Sequence, residues 1–278
     1  MAEEPRDIHQ KATCVLAVDV GNTKTRFGLF NDDVLDSLWE ITTSDGMTAD
    51  EARLAIAGFF SMAGFANDQK RSKVAGVCPS DSILACVVPG LVEPWTAALR
   101  HACGRRPLVV GPGLKTGIKM NYKDPSEVGP DRVADLVAAK ASYGHPLIIV
   151  DLGTTTNFEV VDNEGAFAGG VIAAGLLLAA RSLAAAAARL PVIEVQAPPA
   201  IIGKTTREAM QAGVVMGEVA RIDGIIDMIW KELGRETRIV ITGTNASELA
   251  ALLSHTATPD DTLTLRGLSL LHEMNRRK

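Results

Sequence analysis

The sequence predicts an α/β protein of two related lobes, and three observations carry that prediction. The first is a repeated pattern. The apolar run Cys14 to Val18 leads into Asp19-Val20-Gly21-Asn22-Thr23, and a second run, Leu147 to Val150, leads into Asp151-Leu152-Gly153-Thr154-Thr155. A further β-like run follows each: Thr25-Arg26-Phe27-Gly28-Leu29-Phe30 and Asn157-Phe158-Glu159-Val160-Val161. The second observation is that strand-like and helical patterns alternate along the chain. The third is composition: 278 residues, 47% hydrophobic and only 4% aromatic. That is enough for two cores with small helix–sheet contacts.

The elements follow in order. After the first hairpin, Trp39-Glu40-Ile41 reads as a third strand. Thr48 with Glu51 three residues on is a capping-box start for a helix to about Met62. Residues 66–73 are polar, a surface loop. Ile83 to Val88 is a buried strand stopped by Pro89-Gly90, then a helix from Leu91 to Ala102, then the strand Pro107 to Val110. Thr116 to Arg132 is a long polar segment, and loops of such length are often functional. Pro130 opens a helix from Asp131 to about Tyr143. The second lobe repeats strand and hairpin, then turns at Gly169-Gly170. Val171 to Leu190 is Ala-rich and interrupted by Arg181 and Arg189, a buried amphipathic helix rather than a membrane span. A long helix from Thr206 to Leu233, a strand from Arg238 to Thr242 and a helix from Arg266 to Met274 complete the chain. The expected organisation is a flexible extension over 1–12, an N-terminal lobe over 13–143 and a C-terminal lobe over 144–278.

Bulk properties narrow the partners. A formal charge of −5 argues against nucleic acid. A local cluster of Arg and Lys could still receive a small anion. Cys14, Cys78, Cys86 and Cys103 form no C-x-x-C pair and the five histidines are scattered, which fits a cytoplasmic protein without zinc. Residues 1–12 lack the apolar core of a secretory signal.

A strand, a tight Asp-x-Gly turn and a return strand expose backbone N–H groups at the hairpin tip. Such a tip can cradle phosphate oxygens, and its Asp suits a Mg²⁺ that already carries them. Either copy alone is equally an ordinary hairpin; the duplication favours two lobes closing on one nucleotide. The paired motif resembles the phosphate loops of the acetate/sugar kinase, Hsp70 and actin superfamily. The resemblance implies two actin/ribonuclease H-like lobes with an ATP cleft between them.

Further motifs narrow the likeness. Gly111-Pro112-Gly113-Leu114-Lys115-Thr116-Gly117 precedes Asn121-Tyr122-Lys123-Asp124-Pro125 and Glu127-Val128-Gly129-Pro130-Asp131-Arg132. Ile202-Gly203-Lys204-Thr205-Thr206 and Leu263-Thr264-Leu265-Arg266-Gly267-Leu268 follow. Together they resemble type III pantothenate kinase over nearly the whole chain after residue 12. The resemblance implies phosphorylation of pantothenate by ATP, a homodimer, Mg²⁺ and a monovalent cation, K⁺ or NH4⁺. It implies Asp131 as the proton acceptor, although an Asp at a helix start needs no chemistry to explain it. It implies a substrate site of Tyr122, Gly129, Pro130, Asp131, Arg132 and Thr206, with Thr206 equally readable as a helix cap. Arg132 would take the carboxylate of pantothenate. It implies Asp19 on Mg²⁺; Gly21, Asn22, Thr23, Lys24, Thr25 and Thr154 on ATP phosphates; Gly243 at adenosine; and Asp151 on the monovalent cation.

The chain departs from the family pattern at Thr155, Asn157 and Glu159, where Ala, Thr and Asp are usual, and at Pro130, Ala174 and Thr244. Two other readings accompany the kinase: a catalytically weak relative that binds ligand and regulates a partner, and another kinase or phosphatase of the same superfamily.

Overall fold

The computed structural model describes residues 14–62, 79–187 and 190–276. The extension expected at 1–12 and the loop expected at 66–73 lie outside them. The chain forms two compact units. One comprises the residues up to Val110 with those from Leu268 onward, the other Gly111–Gly267. This division differs from the 13–143 and 144–278 lobes expected from the sequence, because the long segment after Gly111 and the helix that follows it belong to the second unit.

In the first unit β1 (Cys14–Val20) pairs antiparallel with β2 (Lys24–Asn31), which pairs antiparallel with β3 (Val34–Thr42). On its other side β1 runs parallel to β4 (Asp81–Cys86), and β4 to β5 (Leu108–Val109). Every residue of β1 is buried except the half-buried Asp19, as a central strand covered on both faces requires. β3, at the sheet edge, alternates in exposure. The expected capping box opens α1 (Ala49–Met62): Thr48 N–H donates to Glu51 at 2.8 Å and Glu51 N–H to Thr48 Oγ1 at 3.3 Å. A short 3-10 turn leads into α2 (Val92–Cys103), which stops at Gly104 in the left-handed conformation. Leu16, Val18, Phe27, Ile56, Leu84, Trp95 and Leu99 form the core beneath α1 and α2.

The second unit repeats this plan. β6 (Leu147–Leu152) pairs antiparallel with β7 (Thr155–Val161), and β7 with β8 (Phe167–Ala174). β6 also runs parallel to β9 (Arg238–Gly243), and β9 to β10 (Ala257–Pro259). Read from their third strands, both sheets have the order third, second, first, fourth, fifth. The repeat seen in the sequence is thus a repeat of a whole sheet. Its helices are α3 (Pro130–Tyr143), α4 (Leu176–Ala186), α5 (Thr206–Gln211), α6 (Gly217–Leu233) and α7 (Ala246–Ala250). The last helix, α8 (Leu263–Asn275), begins in this unit. Ile148, Val150, Phe158, Ile222, Ile226, Ile239 and Ile241 fill its core.

Three expectations need correction. Gly169 and Gly170 are not a turn but part of β8. The turn comes earlier, where Asp162 Oδ1 accepts from the N–H groups of Glu164 and Ala166. The glycines fit a strand because Gly169 has φ 129° beside a register shift, and a Cβ on Gly170 would lie 1.9 Å from Phe158 O. The Ala-rich stretch is strand up to Ala174 and helix only over α4, and within α4 only Ala180 is buried. The long helix from Thr206 is interrupted by a π-helical turn, Ala212–Met216. Among the described residues no helix is long and apolar enough to cross a membrane.

Candidate functional site

Asp19 lies near the end of β1, with Gly21, Asn22 and Thr23 in the turn after it. Gly21 N–H donates to Lys24 O at 3.0 Å, so that amide is held inside the turn. Asn22 and Thr23 are exposed at the tip. Lys24 reaches across to Glu40 at 2.7 Å. Thr25 is fully buried and its hydroxyl meets that of Thr43 at 2.9 Å. The chain therefore exposes Asn22 and Thr23 and turns Lys24 and Thr25 to structural partners.

The corresponding turn of the second unit is one residue shorter. Gly153 N–H donates to Thr155 O at 2.9 Å and Thr154 is exposed. Thr156 is buried, with its hydroxyl on Glu218 at 2.6 Å. Gly243 ends β9 beside β6, where a Cβ would lie 2.4 Å from Leu152 O and 2.8 Å from Asp151 Oδ1. Thr244 N–H donates to Leu152 O at 2.7 Å and fixes that approach. The glycine is required by backbone packing, whatever else it does.

The densest chemistry lies at the start of α3. Gly129 caps the helix and Pro130 opens it; Pro has no N–H to leave unsatisfied there. Asp131 Oδ1 accepts from the N–H of Arg132 at 2.8 Å. A Cβ on Gly129 would lie 2.5 Å from that same oxygen, so the missing side chain gives the carboxylate its place. Arg132 is 7% exposed and its Nε donates to Glu159, on β7, at 2.8 Å. Its guanidinium lies 5.7 Å from the ring centre of Phe167, and Tyr122 stacks on that same ring at 5.5 Å. Tyr122, Asp131 and Arg132 thus share one cluster, with Gly129 and Pro130 supporting it. Thr206 is exposed at the start of α5, where Thr205 serves as the cap by accepting from Glu208 N–H at 3.2 Å. Among the described residues it makes no hydrogen bond to that cluster.

Sequence reasoning missed Asp135, Phe167 and Gly170, and saw Glu159 only as a departure. Asp135 lies one helical turn beyond Asp131 and its spacing could have revealed it. It is 1% exposed, and neither oxygen has a partner of good hydrogen-bond geometry among the described residues. Burial first, then the charges of Asp151 and Glu159, push its pKa well above the usual carboxylate range. Burial likewise lifts Glu159, to about 8, although Arg132 pulls against it. The short contact with Arg132 alone would favour an ionised Glu159; its complete burial beside other acids outweighs that attraction. Asp131 is raised by burial too, with its helix-start amides and Arg132 opposing. Four carboxyl groups, Asp131, Asp135, Asp151 and Glu159, therefore act on one another near one guanidinium, and burial with mutual repulsion favours the protonated forms of Asp135 and Glu159. Among the described residues no three acidic, His or Cys side chains converge as a metal site.

A cavity of about 550 Å³ lies at the opposite ends of β6 and β9, lined by residues including Pro146, Trp230, Arg238 and His255. Several of its polar groups are engaged with the protein: Trp230 with Thr237, Arg238 with Tyr143 O, and Arg235 with Asn163. None of the expected site residues lines it.

Comparison with known proteins gives a consistent result. A family model described as type III pantothenate kinase matches residues 15–228. A type III pantothenate kinase of Exiguobacterium sp. is 38% identical over 95% of this chain and 100% of its own. One from Anaeromyxobacter sp. is 38% identical over 94% of this chain and 100% of its own. Among solved structures, a conserved putative Baf family transcriptional activator from Campylobacter jejuni aligns with a TM-score of 0.56 at 20% identity, covering 94% of this chain and 98% of that one. The ethanolamine utilization protein EutJ from Carboxydothermus hydrogenoformans aligns at 0.53 and 16% identity, covering 92% and 89%. These two likenesses concern the fold.

Proposed function

The chain belongs to the type III pantothenate kinase family, and from that premise we propose which of its residues carry the reaction. The protein phosphorylates pantothenate with ATP, the step that opens coenzyme A biosynthesis. The observation that carries the assignment is the pair at the start of α3, Asp131 held against Gly129 and Arg132 anchored on Glu159.

Asp131 accepts the proton of the pantothenate primary hydroxyl. In a loose phosphoryl-transfer transition state little basicity is needed, so the carboxylate mainly orients the hydroxyl and takes its proton late. Its burial supports this by raising its proton affinity towards working pH. Arg132 receives the pantothenate carboxylate, Tyr122 packs against substrate, and Gly129 with Pro130 borders the substrate while giving the Asp131 carboxylate its place. Thr206 belongs to the substrate set by resemblance alone.

Asn22, Thr23 and Thr154, exposed on their turns, meet the ATP phosphates, with Gly21 shaping the first turn and Gly243 lying at adenosine. Lys24 and Thr25 belong to the same phosphate turn, with Lys24 also paired to Glu40 and Thr25 to Thr43. Asp19, a hard oxygen donor, would hold Mg²⁺ with phosphate oxygens and water completing its shell. Asp151, beside Asp135 and Glu159, would hold K⁺ or NH4⁺. These cations supply neutralisation of phosphate charge. The protein works as a homodimer in the cytoplasm. The edge strand β8 and helix α4 support the dimer by presenting Ile172, Leu177, Leu178 and Leu183.

Steady-state turnover of pantothenate with ATP and Mg²⁺, in K⁺ and in Na⁺, tests this reading. Faster turnover in K⁺, with the advantage lost in Asp151→Asn, is expected. Equal rates in the two cations would remove Asp151 from its role. A folded protein that fails to turn over pantothenate with any nucleoside triphosphate would overturn this reading in favour of the regulatory, ligand-binding relative.

A further inference from the structure

We propose that Glu159 is a positioning residue that holds the Arg132 guanidinium by its Nε, leaving the two Nη groups to receive the carboxylate of the substrate. The inference rests on the assignment of Arg132 to that carboxylate and goes one residue beyond it.

Three surfaces define the cradle. Glu159 Oε1 accepts from Arg132 Nε at 2.8 Å, and the two side chains are 0% and 8% exposed. Phe167 offers its ring to the guanidinium at 5.7 Å. Gly170, the cross-strand partner of Glu159, leaves room: a Cβ there would lie 3.2 Å from Nη2. One β7–β8 residue pair thus supplies both the acceptor and the space. A guanidinium is a rigid planar fork, so fixing Nε fixes the direction of both Nη groups. An unanchored Arg would have to be ordered by the substrate, at a cost in affinity. The acceptor oxygen does the positioning whether or not the carboxyl carries a proton, so an amide should replace it.

The test compares wild type with Arg132→Ala, Glu159→Met and Glu159→Gln, using pantothenate and its carboxylate-free alcohol analogue. Glu159→Met should raise KM for pantothenate about tenfold or more, leave kcat and the KM for ATP within about threefold, and not affect the analogue. Glu159→Gln should restore the wild-type KM, a rescue that a merely space-filling role would not produce. If Arg132→Ala leaves the KM for pantothenate unchanged, the assignment of Arg132 itself fails. If Arg132→Ala raises it and Glu159→Met does not, only the positioning role fails. Should Glu159→Met not fold, nitrogen-15 NMR of the wild-type protein decides. The Arg132 Nε–H should be protected from exchange and stay unshifted when pantothenate is added, while the Nη signals move. A rapidly exchanging Nε–H would overturn the proposal.

Discussion

At the scale of single residues, the cluster around α3 concentrates charge where water is excluded, and pH should report it. Glu159 has its pKa raised from 4.5 to about 8 by burial, and Asp135 and Asp131 are raised in the same direction. Between the ordinary carboxylate value and the raised one, the folded protein keeps a proton that the unfolded chain has released. Their stabilisation is therefore complete below that window and is lost as pH rises through it. Each such group can contribute at most about 1.4 kcal/mol per pH unit. Thermal unfolding should show the melting temperature falling between about pH 4.5 and about pH 8, and Glu159→Gln should flatten that slope. An unchanged slope would show that Glu159 titrates normally. Asp131 and Arg132 were legible in the sequence because a resemblance pointed to them. Glu159 was legible only as an oddity, since its partner lies 27 positions away and only tertiary pairing joins them. Lys24 and Thr25 show the converse. Their place in a phosphate-loop motif suggests ligand contacts, and only tertiary pairing shows that Lys24 also meets Glu40 and Thr25 also meets Thr43.

At the scale of elements, caps and close approaches decide the local geometry. Thr48→Ala removes a reciprocal cap from α1 and should cost about 1 kcal/mol in denaturant unfolding. Gly267→Ala should cost more, because its Cβ would lie 2.0 Å from Ala134 O, where α8 meets α3. A loss of roughly 1–3 kcal/mol is expected from that overpacking, and displacement of α3 should also lower turnover. Full activity and unchanged stability would mean that α8 moves away without consequence. The capping box was readable because its two members are three residues apart. The start of β8 was not. A Gly-Gly pair is ordinarily a turn signal, and only the crowding by Phe158 O and Arg132 explains glycine inside this strand. The extent of α4 was also misjudged. Alanine and leucine favour helix, and the pairing of Val171 with Phe158 and of Ile172 with Asn157 prevails over that preference.

At the scale of the whole molecule, the same five-strand order occurs in both units, and the sequence announced it through two Asp-x-Gly hairpins. The hairpins are local and therefore readable. The parallel partners β4, β5, β9 and β10 are joined by long-range pairing, and β10 and α7 left no periodic signal. The apolar residues exposed on β8 and α4 should make the protein dimeric in sedimentation, and Ile172→Glu with Leu178→Glu should shift it towards monomer. A monomeric wild type would contradict that surface role. The most direct test of the central claim, that Asp131 accepts the proton while Arg132 binds the substrate, is the turnover of pantothenate by Asp131→Asn at saturating ATP. The account predicts a fall in kcat of about a hundredfold or more with the KM for pantothenate within about threefold. An Asp131→Asn enzyme with wild-type kcat would contradict it.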